Sequence, residues 1–150
     1  MSNFRQQSQI RASWPVWLRF VTLLVTIIAF GLQIKVAVDS GRDNYSEVWY
    51  SPESFAFLGL SFIWNIADLA TRFSRQHGVH PGAHVGLDLI IWIGLFSSAV
   101  IQLLINAWYS YAVAAGTLKI VCCILHIILF VWACVACHQW RNATKAAIPA

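Results

Sequence analysis

Charge is what this chain has least of: 11% of its 150 residues are Asp, Glu, Lys or Arg, against about 25% in an ordinary soluble domain. Hydrophobic residues make up 59%, and so few charges cannot cover so much apolar surface in a water-exposed fold of this size. Long polar segments are lacking too. No stretch outside the apolar runs exceeds about 16 residues, which leaves no room for a soluble catalytic domain. There is no basic stripe: the net charge of +4 comes from Arg and Lys scattered at the flanks of apolar runs, so nucleic acid is excluded as a partner. Cysteine is absent from the connecting loops, and all four cysteines fall in the last apolar run.

What is there instead is four apolar runs, at about 16–38, 55–73, 85–108 and 116–139. A membrane-spanning helix needs roughly 20 mainly apolar residues. The expectation is therefore an all-α polytopic membrane protein: a single domain, a four-transmembrane-helix bundle, with short tails at 1–13 and 140–150. The first run follows a polar head with Arg5 and Arg11, as in a signal peptide, and Val36-Ala37-Val38 is a tolerable cleavage sequence. It is longer than a usual signal core of about 7–15 residues, which points to an uncleaved span.

Cytoplasmic flanks of membrane helices are enriched in Lys and Arg. Arg5, Arg11, Arg19, Arg72, Arg75, Arg141 and Lys145 lie on one side, seven residues against the three on the other, Lys35, Arg42 and Lys119. The count places the N-terminus, the 73–84 connection and the C-terminus in the cytosol. The loop at 39–54 then faces outward; it is acidic and carries the sequon Asn44-Tyr45-Ser46, a possible N-glycosylation site at Asn44. The second outer loop, at about 109–115, is expected to be a tight, uncharged hairpin.

Each run also carries a polar stripe. Helical residues advance by about 100° each, so numbering gives angular position. Arg19, Thr22, Thr26 and Gln33 share one face of the first span; Ser61, Asn65, Asp68 and Arg72 share one of the second. His84, Asp88, Gln102 and Asn106 line up on the third, and Lys119, Cys122, His126 and Cys137 on the fourth. Polar groups in hydrocarbon face the bundle interior, so the four stripes should converge. The candidate intramembrane residues are Asp68, Arg72, His84, Asp88 and His126. Arg72 follows Asp68, and Asp88 follows His84, by one turn, at ion-pair spacing. Gly82 and Gly86 form a small-xxx-small pair, with Gly94 continuing the face as a third candidate for helix packing.

Several motifs look chemical and are outweighed by their setting. Cys134-Val135-Ala136-Cys137-His138 matches the haem-attachment pattern, but it ends a lipid-embedded helix on the cytosolic side. Small packing residues are the better reading of the two cysteines, with S-palmitoylation possible at Cys137. His77, His80 and His84 surround a Pro-Gly turn without an evident fourth ligand, so no metal is expected. His126 has no second histidine at its depth to share a haem, and no cofactor is expected. No catalytic residue is identified by motif.

The segment Arg72-Phe73-Ser74-Arg75-Gln76-His77-Gly78-Val79-His80-Pro81-Gly82-Ala83-His84-Val85-Gly86-Leu87-Asp88-Leu89-Ile90-Ile91-Trp92, a basic loop with His-Pro-Gly before a third span, joined to the four-span layout, resembles small fungal integral membrane proteins of the MARVEL-like type. The resemblance covers roughly 14–139 and is sharpest in spans two and three. It implies cytosolic termini and a role in membrane apposition, vesicle traffic or microdomains, with no catalytic residues. The partners expected are the lipid bilayer, further copies of the chain and other membrane proteins, in the plasma membrane or an endomembrane. Two alternatives stand beside it. One is an enzyme or accessory protein of a lipid or secondary-metabolite pathway using Asp68, Asp88 or His126; the other is a small transporter.

Overall fold

The computed structural model describes residues 2–41, 52–75 and 81–146, with side chains described for 16–41, 52–74, 82–139 and 141–142. Helix is the only regular structure among the described residues: α1 (Ser2–Ser40), α2 (Pro52–Arg75), α3 (Pro81–Ile105) and α4 (Ser110–Ala146). Each contains a segment long and apolar enough to cross a bilayer, namely Val16–Ser40, Pro52–Ser74, Gly82–Ile105 and Ser110–Gln139. The chain is an all-α four-helix bundle with the character of a multi-pass membrane protein. Both α2 and α3 open on proline, whose fixed φ and missing N–H suit the first helical position.

The boundary between the last two helices differs from the hydropathy reading. α3 stops at Ile105 and α4 starts at Ser110, where a loop at 109–115 was expected. The turn is closed by backbone bonds from Tyr109 N–H to Asn106 C=O and from Val113 N–H to Tyr109 C=O, each 3.0 Å. Hydropathy falls across Tyr109–Ala115, but alanine is the best helix former, so the backbone turns earlier than the apolarity suggests.

Side-chain contacts fix the register. Arg19 meets Asp68, and seven residues on, Thr26 meets Ser61, seven residues back. Asp88 meets His126, and Gln102 bonds to the Ala112 carbonyl. Asp39 meets Tyr109, as Thr26 meets Cys122. Neighbouring helices are thus antiparallel, and α1, α2, α3 and α4 follow one another around a ring, with α4 packed back on α1. One end of the bundle holds the N-terminal side of the span in α1, the end of α2, the start of α3 and the end of α4; the other holds the end of α1, the start of α2 and the α3–α4 hairpin. These are called the terminal end and the hairpin end.

Lipid tails are as apolar as leucine, so helix association in a bilayer rests on close packing and interhelical hydrogen bonds. Close packing is seen at Gly94 of α3, where an added Cβ would stand 2.2 Å from the Phe57 ring of α2. Gly116 of α4 likewise lies against Leu103, at 2.8 Å. Gly82 and Gly86 are exposed, and a Cβ on Gly86 would meet open space. Within the bundle, then, Gly94 and Gly116 admit close approach, and Gly86 faces outward. An apolar layer containing Ala29, Leu58, Ile91, Leu95, Cys122 and Cys123 fills the middle of the bundle.

Candidate functional site

The polar stripes meet inside the bundle on both sides of that apolar layer. Towards the terminal end, Arg19 stands at the centre, 1% exposed. Its Nη1 and Nη2 donate to the two oxygens of Asp88 at 2.9 and 2.6 Å, the fork geometry in which a guanidinium binds carboxylate best. Its Nε lies 3.1 Å from Asp68 Oδ2, an ion-pair contact without the alignment of a hydrogen bond. Nη1 also reaches Asn65 Oδ1 at 3.3 Å, and the guanidinium sits 5.7 Å from the Trp64 ring centroid.

Both carboxylates are in contact with several side chains. Asp68 receives Arg72 Nε at 3.0 Å on each oxygen and has His84 Nε2 at 3.2 Å. Asp88 receives Trp64 Nε1 at 3.1 Å and has His126 Nδ1 at 2.9 Å. Two guanidinium groups thus balance two carboxylates, and both acids are fully buried. For neutral rings the partners assign the proton positions on the histidines. Asp88 is an acceptor, so His126 carries its proton on Nδ1 and offers the Nε2 lone pair to the Ser61 hydroxyl, 2.8 Å away. Arg19 donates to His84 Nδ1 at 3.0 Å, which leaves the His84 proton on Nε2, facing Asp68.

Ser61 is itself crowded with polar neighbours. Asn65 Nδ2 lies 3.3 Å from its Oγ and donates to its carbonyl at 2.8 Å. Thr26 Oγ1 lies 3.2 Å away while donating to Thr22 C=O at 2.7 Å. The network therefore touches all four helices and bridges both diagonals of the ring, α1 to α3 through Arg19–Asp88 and α2 to α4 through Ser61–His126.

A second polar group lies towards the hairpin end. The Lys119 ammonium, fully buried, donates to Ser54 Oγ at 2.8 Å and to Gln102 Oε1. Gln102 Nε2 donates to the Ala112 carbonyl at 3.0 Å. Asp39, 2% exposed, takes Lys35 Nζ at 2.9 Å and the Tyr109 hydroxyl.

Asp68, Arg72, His84, Asp88 and His126 are brought together by the structure. It adds four residues that spacing alone did not single out as site members: Arg19, Ser61, Trp64 and Asn65. Trp64 had a signal, since it stands one turn before Asp68. His84 turns mainly to Asp68 and Arg19, its Nδ1 lying 4.0 Å from Asp88. Cys137 is half-buried, and exposed His138 contacts Asn142 at 3.0 Å, away from the interior. Asn44, His77 and His80 lie outside the described residues. Among the described residues no group of three or more His, Cys, Asp or Glu is arranged to hold a metal ion; the space between Asp68 and Asp88 is taken by Arg19.

On the lipid-facing side of the α1–α2 seam runs an apolar groove of about 440 Å³ lined by Ile27, Phe30, Gly59, Phe62 and Ile63. Thr26 and Ser61 close the inner side of the same seam. No family model matches the sequence, nor does any curated protein or solved structure.

Proposed function

We propose that the chain is an integral membrane organiser of the MARVEL-like four-span kind, with both chain ends in the cytosol, acting by lateral association in microdomains or membrane traffic. One observation supports this reading above the others: the charges gathered around Arg19 are spent on one another. Two carboxylates and two guanidiniums close a balanced set, and the outer surface is Leu, Ile, Val, Phe and Trp. Such a body needs no catalytic group, and its binding surface is its apolar exterior. Single-molecule photobleaching of the tagged chain in its native membrane tests it. Assemblies of two or more copies are expected, dispersed by Gly86→Leu on the outward face of α3; a uniform population of single chains overturns it.

A second reading, a membrane-embedded enzyme of a lipid or small-molecule pathway, is favoured by the hydrogen-bonded line Asp88–His126–Ser61. A transporter has less in its favour, since the buried polar residues of α1 beyond Arg19 are Thr22, Thr26 and Gln33 until Asp39 at the far end.

A further inference from the structure

Asp88, His126 and Ser61 come from three helices, yet their side chains form one line. Carboxylate Oδ1 to imidazole Nδ1 is 2.9 Å, and imidazole Nε2 to hydroxyl Oγ is 2.8 Å. The connectivity is that of a hydroxyl nucleophile activated by a histidine base, with a carboxylate fixing the tautomer. Helix packing alone would be satisfied by any donor–acceptor pair across the α2–α4 diagonal. Two further features would serve acyl transfer. The Asn65 side-chain amide, which donates to the Ser61 carbonyl, lies 3.3 Å from Ser61 Oγ, beside the atom that becomes bonded to the acyl carbon, and a donor there is within a bond length or two of the carbonyl oxygen on which the oxyanion develops. Arg19 Nη1, at 3.3 Å from Asn65 Oδ1, polarises that amide.

The groove supplies the other half of a site. Gly59, Phe62 and Ile63 of α2 flank Ser61 in sequence, and Ile27 of α1 follows Thr26, so groove and hydroxyl share one depth. Thr26 and Ser61 stand 3.2 Å apart on the inner side of the seam, and the groove lies on its outer side. A groove of this lining in a membrane faces hydrocarbon chains, and Gly59 leaves its floor open, with no atom within 4 Å of a Cβ built there.

We propose that Ser61 is an acyl-transfer nucleophile, with His126 as its base and Asp88 as the residue positioning His126, acting on a fatty-acyl ester whose chain lies in the α1–α2 groove. The proposal rests on the enzyme reading and stands or falls independently of lateral assembly. Ser61 Oγ bonds to the ester carbon as its proton passes to His126 Nε2. The tetrahedral centre then expels the alkoxide, which takes that proton and leaves as the alcohol. Water attacks the acyl-Ser61 ester in the same way, giving its proton to Nε2, and release of the fatty acid returns the proton to Ser61 Oγ.

The test is covalent labelling of the full chain in membranes by an alkyl fluorophosphonate, which bonds phosphorus to a nucleophilic serine and loses fluoride. A long-chain probe should modify the Ser61 peptide, read by mass. Ser61→Ala should abolish labelling, and Ser61→Cys, nearly the same size, should move reactivity to thiol-directed alkyl reagents at that position. Asp88→Asn should slow labelling at least about a hundredfold per folded molecule. Asp39→Asn changes an equally buried carboxylate in the hairpin-end group, away from the line to Ser61, and should leave labelling within about threefold. Equal losses in the two Asp variants would make Asp88 a structural partner and overturn its assigned role. Gly59→Leu should lower the ratio of long- to short-chain labelling about tenfold; an unchanged ratio removes the groove from the proposal. Wild-type protein that is folded by thermal-shift assay, yet unlabelled at Ser61, overturns the proposal whatever its state of assembly.

Discussion

The two buried polar groups of this bundle solve the same problem in different ways. Around Arg19, cations meet carboxylates, each acid in contact with three or more side chains, and the contacts reach every helix. Around Lys119, the cation is as deeply buried, but its partners are a hydroxyl and an amide oxygen. The acid at that end, Asp39, is instead held by Lys35 and Tyr109. The Arg19 group is therefore interdependent, because removing any charge strands another. The Lys119 group is modular, because removing its charge strands only neutral dipoles. Burial alone says nothing of this difference; the identity of the partners does.

The largest effect should come from Arg19→Met. It leaves Asp68 and Asp88 buried in one cavity with their central cation gone, and breaking a buried charge set costs about 3–5 kcal/mol. Steric-trapping or denaturant unfolding in bicelles should show that loss, and recovery in the triple variant that also carries Asp68→Asn and Asp88→Asn would sharpen the point. Next comes the apolar layer between the two groups. Gly94→Ala drives a methyl into the Phe57 ring, an overpacking worth about 1–3 kcal/mol, and the same change in a Phe57→Ala background should cost markedly less. Lys119→Met should then move stability by about 1 kcal/mol or less, in either direction, since it removes a desolvated charge along with two hydrogen bonds. A loss equal to that of Arg19→Met would erase the contrast between the groups. Smallest is Lys35→Met. Its side chain is 45% exposed in an i,i+4 pair with Asp39, and such pairs contribute about 0.3–0.5 kcal/mol.

Much of the fold is legible in the sequence because two rules act on short range. Twenty-odd apolar residues make a span, and a 3.6-residue period marks its inward face, so Thr22, Thr26, Asn65, Asp88 and His126 can be placed inward from numbering alone. Helix ends are less legible: Tyr109–Ala115 reads as a tight, uncharged hairpin by hydropathy but is helix from Ser110. The partners are less legible still. Arg19 reads as a flank charge that sets orientation, and only the fold shows it 69 residues away from its carboxylate on Asp88. Ion-pair spacing points His84 at Asp88, whereas the ring turns across to α2, a choice made by the angle at which helices face one another. The Ser61–His126 bond spans 65 residues of sequence and has no local signature at all.

The position of Arg19 early in the chain has a consequence for how the protein is made. The ribosome delivers α1 with a permanent cation in its apolar stretch well before either Asp68 or Asp88 has been synthesised. Until α3 emerges, the guanidinium, three residues into a span that begins at Val16, can reach back to the headgroups along its own aliphatic stem. The bundle therefore closes late, around a charge that has been waiting since the first span.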